Sequence, residues 1–470
     1  MSRLVNVGAI LVVAISWTVV NAADAGARAD TPRDLLAALG FDDDKLQRFQ
    51  DGVPVSDEEI DLLRQVLHHV VRFDASDLER WLRAAPPLAE IALHPAAHRG
   101  NAIRLEGRVR QVEVISPPPG QVAREPSEHE QPTGIYRVTI DLSAANHRAI
   151  VWCRRTPGAW QFLLGQTMDY PVRVSGLFLK SFSTADVLHY VCVADRVSWF
   201  PDRVDELTHV GADQLLLARA GMDIGLLDDV RHGGRIGPPD RECFYHMLDA
   251  MNRIDAASLT RVARQQFDIV KLLDAPAAQS ARAYQFTGTA RRAVRIEVSD
   301  PDIRLRFGIH EYFELDVFVP LPTPLKLVDP ETGDSVLFST YPMVFCMRKL
   351  PAGFAEGTWI NEPVQVTGSY LKLWSFRKQS QDTVLDDNPK ADRLHSVQNC
   401  PLFIGLEPQR LVSSQQLGSQ WGFYAGLAFV VVLLATCCWI WQQRRRDEAV
   451  SCARRNQVGQ IDLSFLGRER

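Results

Sequence analysis

The stretch Pro171-Val172-Arg173-Val174-Ser175-Gly176-Leu177-Phe178-Leu179-Lys180 alternates apolar and polar residues through its first half. A period of two is the mark of a strand with one buried face. The stretch Pro363-Val364-Gln365-Val366-Thr367-Gly368-Ser369-Tyr370-Leu371-Lys372 repeats its Pro-Val opening, its glycine and its closing Leu-Lys. Two strands alike in this detail point to an internal repeat, whose period decides how the whole chain is divided.

Working outward, residues 31–114 align without a gap to 212–295, with about a quarter of the positions identical. Leu35-Leu36-Ala37 matches Leu216-Leu217-Ala218. Gly40 and Asp42 match Gly221 and Asp223. Arg72, Asp74 and Ala75 match Arg253, Asp255 and Ala256. Pro95-Ala96-Ala97 matches Pro276-Ala277-Ala278, and Gly107 matches Gly288. Later, Val151-Trp152-Cys153 corresponds to Val344-Phe345-Cys346, and Cys192 to Cys400. The reading is two copies, about 31–201 and 212–408, with a domain-sized period outside the solenoid range.

Each copy opens with a helical part, residues 31–101 and 212–282. Ser56-Asp57-Glu58-Glu59 is a capping-box pattern ahead of an apolar stripe at Ile60, Leu63, Leu67, Val70 and Val71. Phe244, Met247, Leu248 and Met251 form the matching stripe. Short first helices are expected to stop at Gly40 and Gly221. A β part follows, residues 102–201 and 283–408. In the first copy strands are expected near 102–115, 135–142, 147–153, 170–180 and 188–199, with a helix-like segment at 157–166. Five strands, an insertion after the third and a first strand broken by Gly107 or Gly288 resemble the OB-fold barrel. An SH3-like barrel or a β-sandwich is the alternative. The expected fold class is α+β: two tandem copies of a helical subdomain followed by a five-stranded OB-like β-barrel, plus one C-terminal transmembrane helix.

The ends carry targeting signals. Arg3, the apolar run to Val20 and Ala22-Ala23 read as a secretory signal peptide over 1–22. Residues 421–441 carry no charge, are flanked by Trp421, Tyr424, Trp439 and Trp441, and run into Arg444-Arg445-Arg446. This reads as a transmembrane helix, and residues 442–470 are expected to be a cytoplasmic tail by the positive-inside rule. The formal charge of the chain is -5. The tail holds about +3 and Arg3 one more, so the region between is close to -9. Such a surface speaks against nucleic acid as a partner.

Candidate chemistry is sparse. Phe178, Lys180 and Phe182 end one strand and Tyr370, Lys372 and Trp374 end its counterpart. Even spacing puts each trio on one strand face, as a stacking and charge surface or as aromatics packed on the barrel. Cys153 with Cys192, and Cys346 with Cys400, are disulfide candidates if their Cα atoms lie within about 7 Å; otherwise they are buried thiols. Cys243 is a core residue. His94 and His98 have i,i+4 spacing, but Pro95 interrupts the helix and no zinc site is assigned. No nucleophile elbow, phosphate loop or dinucleotide fingerprint occurs. No catalytic residue, metal ligand or cofactor is assigned.

The expected function is a single-pass membrane protein presenting a duplicated module outside the cytoplasmic membrane, periplasmic or extracellular. It is non-catalytic and serves protein interaction or envelope structure, with another envelope or membrane protein as partner. The alternative is a glycan- or peptide-binding protein using the barrel faces, and the third reading is an enzyme with an unrecognised site.

Overall fold

The computed structural model describes residues 29–115, 134–328, 335–376, 398–411 and 415–456. The signal peptide expected over 1–22 and most of the loops at 116–134 and 375–397 lie outside the described residues. The chain divides into two compact units, one ending at Arg410 and the other beginning at Leu411.

Among the described residues the first unit opens with six helices: α1 (Pro32–Ala38), α2 (Asp43–Leu46), α3 (Asp57–Val70), α4 (Ala75–Arg83), α5 (Leu88–Leu93) and α6 (Pro95–His98). Ser56 caps α3 and Glu59 bonds back to it, so the capping box read from the sequence is present. Six strands follow: β1 (Ala102–Ile115), β2 (Ile135–Leu142), β3 (His147–Arg155), β4 (Tyr170–Thr184), β5 (Val187–Arg196) and β6 (Ser198–Trp199). The segment expected to be helix-like is a 3-10 turn, Gly158–Leu163. The single strand expected over 188–199 is two, divided at Val197.

More helices come next: α7 (Ala212–Arg219), the 3-10 turn Ile224–Asp229, α8 (Pro238–Arg253), α9 (Ala256–Val262) and α10 (Ile269–Asp274). The second sheet holds β7 (Ala283–Glu297), β8 (Glu311–Val328), β9 (Ser335–Met347), β10 (Glu362–Phe376), β11 (Gln398–Gly405) and β12 (Gln409–Arg410), with α11 (Pro301–Phe307) between β7 and β8.

In the first sheet the order is β1-β2-β3-β5-β4, and β4 returns to pair with β1. This closes a five-stranded barrel, and β3 and β5 run parallel within it. The pairings of the second sheet also form a ring, β7-β8-β9-β11-β10-β7. Within each ring every strand is paired on both sides, and the two-residue strands β6 and β12 add to β4 and β10 outside it. Gly107 sits where β1 serves both β2 and β4, and a Cβ there would lie 2.3 Å from the Asp141 carbonyl oxygen. At Gly288 the same test gives 2.5 Å to the Phe318 carbonyl oxygen. Only glycine lets the neighbouring strand approach so closely.

Side chains from alternate strand positions separate into layers. Val109, Val138, Val151, Val174 and Cys192 fill the first barrel, while Trp152, Leu177, Leu179, Val191 and Val193 face outward beneath α1 and α3. In the second barrel Leu315, Phe345, Val366 and Phe403 point inward. Val344, Leu371, Leu402 and Ile404 belong instead to the cluster that contains the apolar face of α8. That cluster also includes the interior of the first barrel, through Trp160, Trp199, Ile224 and Leu226. Residues before and after 211 therefore share one core.

The second unit contains α12 (Gln415–Asn456). Its segment Tyr424–Arg446 is long and apolar enough to cross a membrane.

Candidate functional site

The six residues read as a binding surface lie where β4 and β10 pass beneath their helices. Five are buried: Phe178, Lys180, Phe182, Tyr370 and Lys372. Trp374 is half-buried and packs against the core. Even spacing does not put each trio on one face, because each strand carries a bulge. In β4 the register slips between Phe178, opposite Cys192, and Lys180, opposite Val191. In β10 it slips between Tyr370, opposite Phe403, and Lys372, opposite Leu402. The extra residue reverses the inside–outside alternation. Phe178 thus joins the barrel interior, while Phe182 joins the layer beneath the helices.

Each bulge delivers a lysine to a carboxylate in the first turn of a helix. Lys180 Nζ lies 2.8 Å from both carboxylate oxygens of Glu59 and 3.4 Å from the Pro54 carbonyl. Glu59 also accepts the backbone N–H of Gln50 at 2.8 Å and of Ser56 at 3.0 Å. Lys372 Nζ lies 2.6 Å from Asp240 Oδ2 and 3.1 Å from the Arg235 carbonyl. Asp240 accepts the N–H of Arg231 at 2.7 Å and of Gly237 at 2.8 Å. Both lysine side chains are 0% exposed. A buried ion pair holds only when its remaining donors and acceptors are satisfied, and here each carboxylate has three donors. These lysines fasten barrel to helix, and neither presents its charge to solvent.

The cysteine expectations need correction. Cys153, Cys192 and Cys346 are buried free thiols, and Cys400 is buried. Cys153 stands opposite Ala194 and Cys192 opposite Val151, two residues out of step. This separation, about 8 Å between Cα atoms from strand spacing and rise, exceeds disulfide reach. Cys346 pairs with Ile404, four residues beyond Cys400, an offset of about 13 Å along the strand. The two pairs are not equivalent either. Cys153 and Cys192 point into the first barrel with Val151, whereas Cys346 and Cys400 lie with the α8 cluster outside the second. Burial pushes the Cys153, Cys192 and Cys346 thiols well above their ordinary range, so they are poor nucleophiles. Cys243 is buried on α8.

Charged clusters that spacing did not reveal lie between the barrels and helices. Arg196 joins Asp229 at 2.7 Å and Asp223 at 3.4 Å, and Asp223 accepts the Trp199 N–H at 2.8 Å. Arg306 on α11 binds Glu242 on α8 and Asp302. These groups come together only through the fold, so no local pattern announces them. His98 faces Glu90 at 3.5 Å, and no third ligand type joins them. Among the described residues no group of three or more His, Cys, Asp or Glu could hold a metal ion.

No protein-family model matches the chain, and no curated protein matches it. Among solved structures it is similar to a small single-stranded DNA-binding protein from Streptomyces coelicolor. The identity is 11%, the match covers 28% of this chain and 93% of that one, and the TM-score is 0.15.

Proposed function

We propose that this chain is an exported, single-pass membrane protein whose ectodomain is a duplicated helix-plus-OB-like-barrel module. Its task is non-catalytic: contact with another envelope or membrane protein, or support of envelope structure. The observation that carries the reading is the use made of the prominent basic and aromatic strand ends. Lys180 and Lys372 are consumed in buried pairs, so the strongest candidates for ligand chemistry serve architecture instead. The same burial removes the support that these residues lent to glycan or peptide binding on the barrel faces.

Duplication is supported by position. The acceptors 59 and 240, the N–H donors 50 and 231, 56 and 237, and the carbonyls 54 and 235 keep the offset of the sequence alignment. Membrane anchorage is supported by Tyr424–Arg446, and export by the N-terminal apolar run.

Crosslinking in native membranes followed by pull-down tests the interaction role. Recovery of one envelope or membrane protein in stoichiometric yield is expected. A turnover found with a small-molecule library, lost on substitution of ectodomain carboxylates, would replace this reading with an enzyme. Protease added from outside is expected to remove the ectodomain and spare the tail.

A further inference from the structure

The C-terminal border of the apolar segment of α12 carries a feature that anchorage does not require. Arg444, Arg445 and Arg446 follow one another directly and are exposed. The Arg445 guanidinium lies over the Trp441 ring, 3.9 Å from its centroid. Consecutive residues on a helix are turned by about 100°, so the three guanidiniums fan over more than half the circumference. A protein groove reads a helix as a stripe at i, i+3 and i+4. A broad arc of cations, bordered in sequence by Asp447 and Glu448, suits small ligands that approach the helix from several sides. Arg444 stands 20 residues beyond Tyr424, a rise of about 30 Å, which matches the thickness of a bilayer hydrocarbon core. Tyr424 and Arg444 therefore fit opposite headgroup layers. Guanidinium groups bind phosphate oxygens in pairs, and stacking on an interfacial tryptophan holds one of them at that depth.

We propose that Arg444, Arg445 and Arg446, with Trp441, form a collar that binds the phosphate headgroups of anionic phospholipids around the C-terminal end of the span. The proposal rests on reading Tyr424–Arg446 as a membrane span.

The test uses the full-length chain, purified in detergent and titrated with phosphatidylglycerol or phosphatidylcholine under native mass spectrometry. Retention of phosphatidylglycerol over phosphatidylcholine by about tenfold or more is expected, falling as salt is raised. The Arg444→Gln, Arg445→Gln, Arg446→Gln triple variant should lose the preference while keeping its helix content. Equal retention of the two lipids by the unaltered chain overturns the proposal, as does an unchanged preference in the triple variant. Failure of the span itself reads differently: the chain would leave membranes in an alkaline carbonate wash.

Discussion

Lys180 Nζ lies 2.8 Å from both carboxylate oxygens of Glu59, a residue 121 positions earlier in the chain. Glu59 is also the third residue of α3 and closes its capping box. One carboxylate thus caps the start of a helix and receives the buried cation of the barrel. Helix start and strand bulge are coupled through it, and so are the helical part and the β part.

Glu59→Ala should destabilise the protein by about 3–5 kcal/mol, because Lys180 would keep an unpaired charge in an apolar layer. Replacing both partners, as Glu59→Gln with Lys180→Met, should cost less than Glu59→Ala alone, since no charge is left unpaired and the amide oxygen still accepts a backbone N–H. Denaturant unfolding of the three proteins checks the order. The Phe178→Ala, Lys180→Ala double variant should unfold; a folded double variant lacking only a ligand affinity would restore the binding-surface reading.

Gly107→Ala should be disruptive even though it adds a single methyl group. Its Cβ would meet the Asp141 carbonyl oxygen at 2.3 Å, a backbone atom that moves only if β2 shifts. A loss of at least 1–3 kcal/mol, about the usual cost of overpacking, is expected in thermal or denaturant melts. Gly234→Ala is the control for the added methyl, as nothing lies within 4 Å of its Cβ position and its φ lies outside the left-handed region, so a change within about 0.5 kcal/mol is expected. An equal loss in the two variants would count against crowding at the β1–β2 crossing.

Acid should weaken the packing of α8 on α11. Burial raises the Glu242 carboxyl, but its hydrogen bonds to Arg306 outweigh that and hold it below its ordinary value. Asp302 is lowered by the same balance of burial against Arg306. A depressed carboxylate adds stability above its unfolded value, about 4, and loses it as the pH falls through the folded value. Thermal melts should therefore fall steeply below about pH 4. In Arg306→Gln this part of the slope should flatten, and an unchanged slope would remove the pair from the acid response.

Cys153 and Cys192 should resist alkylation in the native protein and react promptly in denaturant, because burial keeps both thiols protonated. Peptide mapping without reductant is expected to return the two peptides separately. A Cys153–Cys192 linked peptide would show that β3 and β5 pair in another register.

Much of the architecture is legible in local pattern. The period-two alternation of residues 171–176, the stop at Gly40 and the Ser56–Glu59 capping box each depend on residues close in sequence, and each appears in the structure. The reading failed where one residue of register mattered. A bulge is absent from any periodicity, yet it moves Lys180 to the helix side while leaving Phe178 inside. Aligning Cys153 with Cys346 is sound by identity. The strands nevertheless place the first inside its barrel and the second outside.

Although the helix Pro301–Phe307 and the break at Val197 escaped it, the sequence by itself determined the apolar C-terminal segment, the five main strands of the first sheet, and the glycine on which each first strand crosses between its neighbours. These follow from hydrophobic period, capping chemistry and the space a backbone needs, all local quantities. Only the tertiary structure decided which charges meet, and which of those pairs are buried. Glu59 with Lys180, Asp240 with Lys372 and Arg306 with Glu242 meet across 64 to 132 residues. The cost of leaving a charge unpaired away from water is set by what the folded chain packs around it, and no neighbouring residue carries that information.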